Sequence, residues 1–277
     1  MKSYCAFLAA AAAGLLAALA AMPAGAEIIT LTDGNAVAKF DPASAALQIA
    51  WEVDGVNYLR EQGFWYRVEG SDSREWPLAN LGLTGLPIVR DTSGDNQDDL
   101  LRLRYGSGDF KVEVVYSLIG GEWGSGWADM TESIRITNSN RTTALVTHFF
   151  QYVNFDLSPG GAGDTVAIRG GNTALQTAGN IALAETVATP PPTYFQADVD
   201  PYTKNALADA APTTLLDNPT AAGDATWAFQ WDAYLAAGNG TYIISKDKRI
   251  EITPEPATLA FVAVGAAGLL ARRRMKK

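Results

Sequence analysis

The chain has 277 residues, with 21 Lys and Arg against 30 Asp and Glu, a single His and a single Cys, for a formal charge of −9. An acidic surface of this kind repels phosphate backbones and argues against a nucleic-acid partner. One histidine and one cysteine cannot assemble a zinc site, and no other cofactor is expected.

The N-terminus carries the three parts of a secretory signal. Lys2 supplies the positive start, Ala6 to Ala21 the apolar run, and Ala24-Gly25-Ala26 the small-x-small cleavage pattern. Residues 1–26 are expected to be removed, with Ala24 and Ala26 as the cleavage determinants and Glu27 as the new start. Signal peptidase and the secretion machinery are the partners this implies. Cys5 leaves with the signal, so the exported chain is expected to fold without disulfides.

Residues 27–250 read as one β domain. Leu101, Leu103 and Tyr105 alternate with Arg102 and Arg104, and Phe110, Val112, Val114, Tyr116 and Leu118 continue the period of two. Gly106-Ser107-Gly108-Asp109 joins these runs as a hairpin. Glu132, Ile134 and Ile136 oppose Ser133 and Arg135, and Asn138-Ser139-Asn140 turns into the next run. From Thr142 to Phe155 both faces are apolar, with Val146, His148, Phe150 and Tyr152 on one and Leu145, Phe149, Val153 and Phe155 on the other. That pattern predicts a long central strand covered on both sides.

Asp156 to Gly163 reads as a loop, and the stretch from Thr189 to about Asp224 as a long insertion in which Tyr202 to Ala211 could form a short helix. Trp227, Phe229 and Trp231 share one face of a later strand. Tyr242-Ile243-Ile244 begins the last strand, ahead of Lys246, and Ile250 to Thr253 reads as a spacer. The expected fold is all-β: an antiparallel, jelly-roll-like β-sandwich flanked by the signal peptide and a single C-terminal hydrophobic helix.

Chemistry is sparsely signalled. His148 would have to serve any Ser-His-Asp triad, but no Gly-x-Ser-x-Gly elbow accompanies it, and its strand position suits a subsurface histidine with one hydrogen-bond partner. A glycosidase needs only two carboxylates, yet acidic residues are too numerous for spacing to single out a pair. Asp91, Asp95, Asn96, Asp98 and Asp99 supply hard oxygen donors of the kind Ca²⁺ takes, without the EF-hand pattern; the same residues suit a solvated turn. Of the seven tryptophans, Trp227 and Trp231 read as core, and Trp123 and Trp127, around Gly124-Ser125-Gly126, as a surface pair able to stack on sugars. No catalytic residue and no metal ligand is nominated.

Residues 251–277 form a distinct tail. Pro254-Glu255-Pro256 precedes the apolar run TLAFVAVGAAGLLA, and Arg272, Arg273, Arg274, Lys276 and Lys277 close the chain. As a helix the run reaches only about 20 Å, short of a ~30 Å hydrocarbon core, and the basic end favours the cytoplasmic side. The tail resembles the PEP-CTERM sorting signal, in which an exosortase recognises Pro-Glu-Pro and the apolar and basic parts complete the signal. The resemblance implies recognition at Pro254, Glu255 and Pro256, orientation by Arg272, Arg273 and Arg274, and a transient membrane contact through the C-terminal helix. It also implies an inner-membrane intermediate on the way to the cell surface or matrix of a Gram-negative bacterium. Loss of both ends would leave 15 basic and 29 acidic residues, a charge of −14. The expected role is structural or adhesive and non-catalytic, with possible exopolysaccharide contact. A carbohydrate-binding module is the alternative, and a secreted glycan-cleaving enzyme stands behind it.

Overall fold

The computed structural model describes residues 27–158 and 163–253. The chain first runs back and forth through β1 (Ile29–Asp33), β2 (Ala36–Phe40), β3 (Gln48–Val53), β4 (Val56–Asn57), β5 (Leu59–Val68) and β6 (Trp76–Pro77). It then crosses to a second layer with β7 (Ile88–Arg90), β8 (Leu100–Ser107), β9 (Phe110–Gly120) and β10 (Trp127–Asn138). From β11 (Leu145–Phe155) onward it shuttles between layers through β12 (Asp164–Arg169), β13 (Thr173–Ala178), β14 (Ile181–Thr189), β15 (Tyr194–Val199) and the helix α1 (Tyr202–Ala208). It ends with β16 (Thr220–Gly223), β17 (Ala225–Leu235) and β18 (Gly240–Ile252).

The result is a sandwich of two nine-stranded antiparallel sheets. Sheet A is ordered β1-β2-β3-β5-β11-β17-β15, with β4 on β3 and β6 on β5; sheet B is ordered β16-β12-β13-β14-β18-β10-β9-β8-β7. The expected all-β antiparallel sandwich is what the chain forms. Its inner faces interdigitate as alternation dictates: Val112, Val114, Tyr116 and Leu118 of β9 and Ile134 and Ile136 of β10 meet Phe149, Val153 and Phe155 of β11 and Trp227, Phe229 and Trp231 of β17. The ring of Phe155 stacks on that of Trp227 with centroids 5.8 Å apart.

β11 is central and covered on both sides. Its outer face carries Phe150 and Tyr152, which join Trp65 and Ala228 beneath Leu207 of α1 and Leu215. The insertion after β14 thus forms a second, smaller core, and its helix runs through Ala208. That insertion is more ordered than its Ala, Thr and Pro content suggests: β15 and β16 are edge strands of the two sheets.

The remaining differences from the sequence reading lie in sheet B. The strands β12 to β14 carry no strong alternation signal, yet with β16 they make up four of the nine strands of sheet B. The last strand begins at Gly240, slightly ahead of Tyr242, and Ile250 to Thr253 is not a spacer. β18 runs through Ile252, because Ile244, Lys246, Lys248 and Ile250 all point inward while Glu251 and Ile252 still pair with Trp127 and Ile181.

Candidate functional site at the exit of the last strand

The sorting and cleavage residues (Ala24, Ala26, Pro254, Glu255, Pro256, Arg272, Arg273 and Arg274) lie outside the described residues. Thr253, the residue before Pro254, is held where β18 ends. The Ile252 N–H donates to the Gly126 carbonyl at 2.7 Å, and the Thr253 N–H to the Asn180 carbonyl at 2.9 Å. Asn180 Nδ2 then donates to the Thr253 carbonyl at 2.7 Å. Backbone and side chain of one asparagine therefore grip the last described residue from both sides.

Three turns meet at this end. Asp54, between β3 and β4, accepts from the Gly124 N–H at 2.5 Å and the Gly126 N–H at 2.9 Å. Asn35, between β1 and β2, donates to Asp54 at 3.0 Å and to Ser125 Oγ at 3.2 Å, and accepts from the Gly121 N–H at 2.8 Å. Gly34, at φ +52°, has no room for a side chain, since a Cβ would stand 2.2 Å from the Gly121 carbonyl oxygen. Charge-assisted bonds to backbone N–H groups are among the stronger neutral-pH contacts available to a loop. They pin residues 121–126.

On that pinned loop Trp123 is 75% exposed. The edge of its ring covers Gly55, where a Cβ would lie 3.5 Å away, and the neighbouring Val56 is 51% exposed. Trp127 is half-buried, with the Arg249 guanidinium 5.0 Å above its ring. Of the expected surface pair, then, Trp123 alone is open. Trp227 and Trp231 are fully buried.

The other sequence candidates have structural employment. His148 Nδ1 lies 2.7 Å from Asp232 on the outer face of sheet A, the single partner expected of it. In the acidic loop, Asp99 accepts from the N–H groups of Thr92 and Ser93 and from the Thr92 hydroxyl, while Asp91 accepts from the N–H groups of Gly94 and Asn96. For Asp91 these backbone bonds hold the carboxyl below its ordinary range. For Asp99, burial pulls upward but the Thr92 and Ser93 bonds outweigh it. The carboxylates build the turn, and no metal-ligating cluster of three or more such side chains occurs among the described residues.

One constellation was missed at the sequence level. Between the sheets Lys246 Nζ contacts Glu132 at 2.6 Å and Glu185 at 2.9 Å, and Lys248 contacts Glu132. Gln62 donates to Glu132 at 3.1 Å; Gln151 and Trp227 Nε1 donate to Glu185 at 2.8 and 3.0 Å. Burial pushes Glu132 up, but the two lysines override it and hold the carboxyl well below the usual range. Burial lowers Lys248 against the pull of Glu132 and Glu185. All four ions are essentially shielded from solvent, so this balanced network braces the sandwich and is closed to a substrate. A signal existed: Glu132 shares its face with Ile134 and Ile136.

The PEP-CTERM protein-sorting motif matches residues 253–274. It marks the chain as an exported protein directed through the membrane to an exosortase, its processing partner. No curated protein matches this sequence. Among solved structures, a bacterial glucoamylase complexed with acarbose superposes with a TM-score of 0.53 at 9% identity over 87% of this chain. This chain covers 35% of that protein. A putative kojibiose phosphorylase from human microbiome gives a TM-score of 0.42 at 8% identity over 88% of this chain and 33% of its own. The first likeness is one of fold; at this identity it carries no activity across.

Proposed function

We propose that the sandwich is the cargo of its sorting tail: a non-catalytic structural or adhesive domain delivered to the cell surface or extracellular matrix. The observation that carries this reading is the junction. The sorting motif begins at Thr253, one residue after β18 ends at Ile252, so the exosortase signal is continuous with the folded domain. The employment of His148 and of the buried ions in structural bonds supports a role without chemistry.

The test is the intact mass of the protein recovered from membrane and matrix fractions, with and without the Pro254→Ala/Pro256→Ala double change. A species starting near Glu27 and lacking the arginine tail, lost in the double variant, is the expected result. A full tail retained in both proteins would make residues 254–277 a plain anchor. Release of reducing ends from matrix polysaccharide by the purified domain would replace the non-catalytic reading.

A further inference from the structure

Tether length fixes which end of the domain meets the membrane. Three residues, Pro254, Glu255 and Pro256, separate the gripped Thr253 from Ala257, where the apolar tail begins. Four Cα steps span at most about 14 Å. The polar layer on each side of a bilayer is roughly 5–8 Å deep, the difference between a ~40–45 Å membrane and its ~30 Å core. While the tail is inserted, the end of the sandwich that carries Ile252 is therefore held against the headgroups.

That is the end that presents Trp123. Ile252 bonds to Gly126, and Trp123 is three residues from Gly126, within about 11 Å along the chain. Several of the acids at this end are held in bonds, while Glu122 beside Trp123 and Asp98, whose carbonyl accepts from the Thr32 N–H, are exposed. The Asp54 carboxylate is taken up by the Gly124 and Gly126 N–H groups, Asp33 accepts from the Gly120 N–H at 2.6 Å, and Glu251 is paired with Arg249 at 2.7 Å. Tryptophan is the side chain favoured at the membrane–water boundary, with its apolar ring toward the acyl chains and its N–H toward water. A tryptophan left three-quarters exposed on a loop pinned by two neighbouring turns is ready to insert without reordering the loop.

We propose that Trp123, flanked by Val56, seats this end of the domain in the headgroup layer of a zwitterionic phospholipid membrane for as long as the tail is inserted. The proposal rests on the sorting reading, and its test separates the two. The chain from Glu27 to Lys277 is reconstituted in phosphatidylcholine vesicles containing brominated acyl chains, floated on a density gradient, and its tryptophan emission recorded. Co-flotation with partial quenching is expected, and Trp123→Phe should cut that quenching by about half or more while leaving flotation intact. Flotation with no quenching, or with quenching unchanged by Trp123→Phe, overturns the lipid contact and leaves the sorting reading standing. Failure to float overturns membrane insertion of the tail and this contact with it. Quenching of Trp123 by soluble polysaccharide and not by lipid makes the same ring a sugar platform instead.

Discussion

Glu132→Gln is the sharpest probe of the sandwich interior. The substitution keeps shape and removes one negative charge, so Lys246 and Lys248 are left facing Glu185 alone, a net positive charge with no route to water. Its new amide group also points donors at a lysine that needs an acceptor. Breaking a buried pair by removing one member costs about 3–5 kcal/mol, because the uncompensated partner stays desolvated. At roughly 2–4 °C per kcal/mol for a domain of this size, the melting temperature should fall by about 6–20 °C. The assay is thermal and urea unfolding at neutral pH of Glu132→Gln, Lys248→Met and the double variant. Because the double variant restores charge balance through Lys246 and Glu185, it should lose markedly less than the sum of the two singles, with a coupling of about 2–3 kcal/mol. A single-variant cost under about 1 kcal/mol, or costs that simply add, would refute the account of the network as a coupled, desolvated unit. The same logic sets an acid limit. The depressed Glu132 carboxyl contributes stability above its unfolded value of 4.5 that is lost as pH falls below it through the folded value.

Other outcomes follow from single features. Burial, then the hydrogen bond and charge of Asp247, push Asp129 up to about 6 against the pull of Arg249. The fold favours its protonated form, so its stabilisation is full below 3.8 and is lost as pH rises through 6; a decline in melting temperature over that window should flatten in Asp247→Asn. Leu207→Ala opens the small core beneath α1 and should cost about 2–5 kcal/mol in urea unfolding, with a red shift in emission as Trp65 gains water. Millimolar Ca²⁺ should leave the melting temperature unchanged, since Asp91 and Asp99 already accept backbone N–H groups; a rise of several degrees, lost in Asp99→Asn, would show that the loop binds the ion.

Legibility tracked how conventionally each strand alternates. β8 to β11 and β17 could be read because apolar residues recur every second position there, and the two apolar faces of β11 correctly announced a cover on both sides. β13 and β14 could not. Their inward positions include Gln176 and Glu185, and small alanines occupy much of the rest. In β18, Lys246 and Lys248 occupy inward positions that alternation alone assigns to apolar residues, and partners on β10 and β14 bury them. A buried ion pair breaks the one-sequence pattern because its justification lies on other strands. The exit site was half legible, in that Trp123 stood out as a surface aromatic. Its pinning by Asp54 and Asn35 joins turns some 70–90 positions apart, which no local reading supplies.

The place of β18 in sheet B has a consequence for the order of events during export. One half of the sheet, β7 to β10, carries Glu132; the other, β12 to β14 with β16, carries Glu185; both lysines arrive on the single strand that joins them. Until residue 252 has emerged, each half-sheet has an unpaired edge and an acid with no counter-ion, so the domain cannot close. Closure of such a long-range topology is slow relative to local pairing, and here it waits for the segment immediately ahead of the sorting motif. A chain truncated before β18 would lack the sorting motif, the central strand of sheet B and both neutralising lysines together.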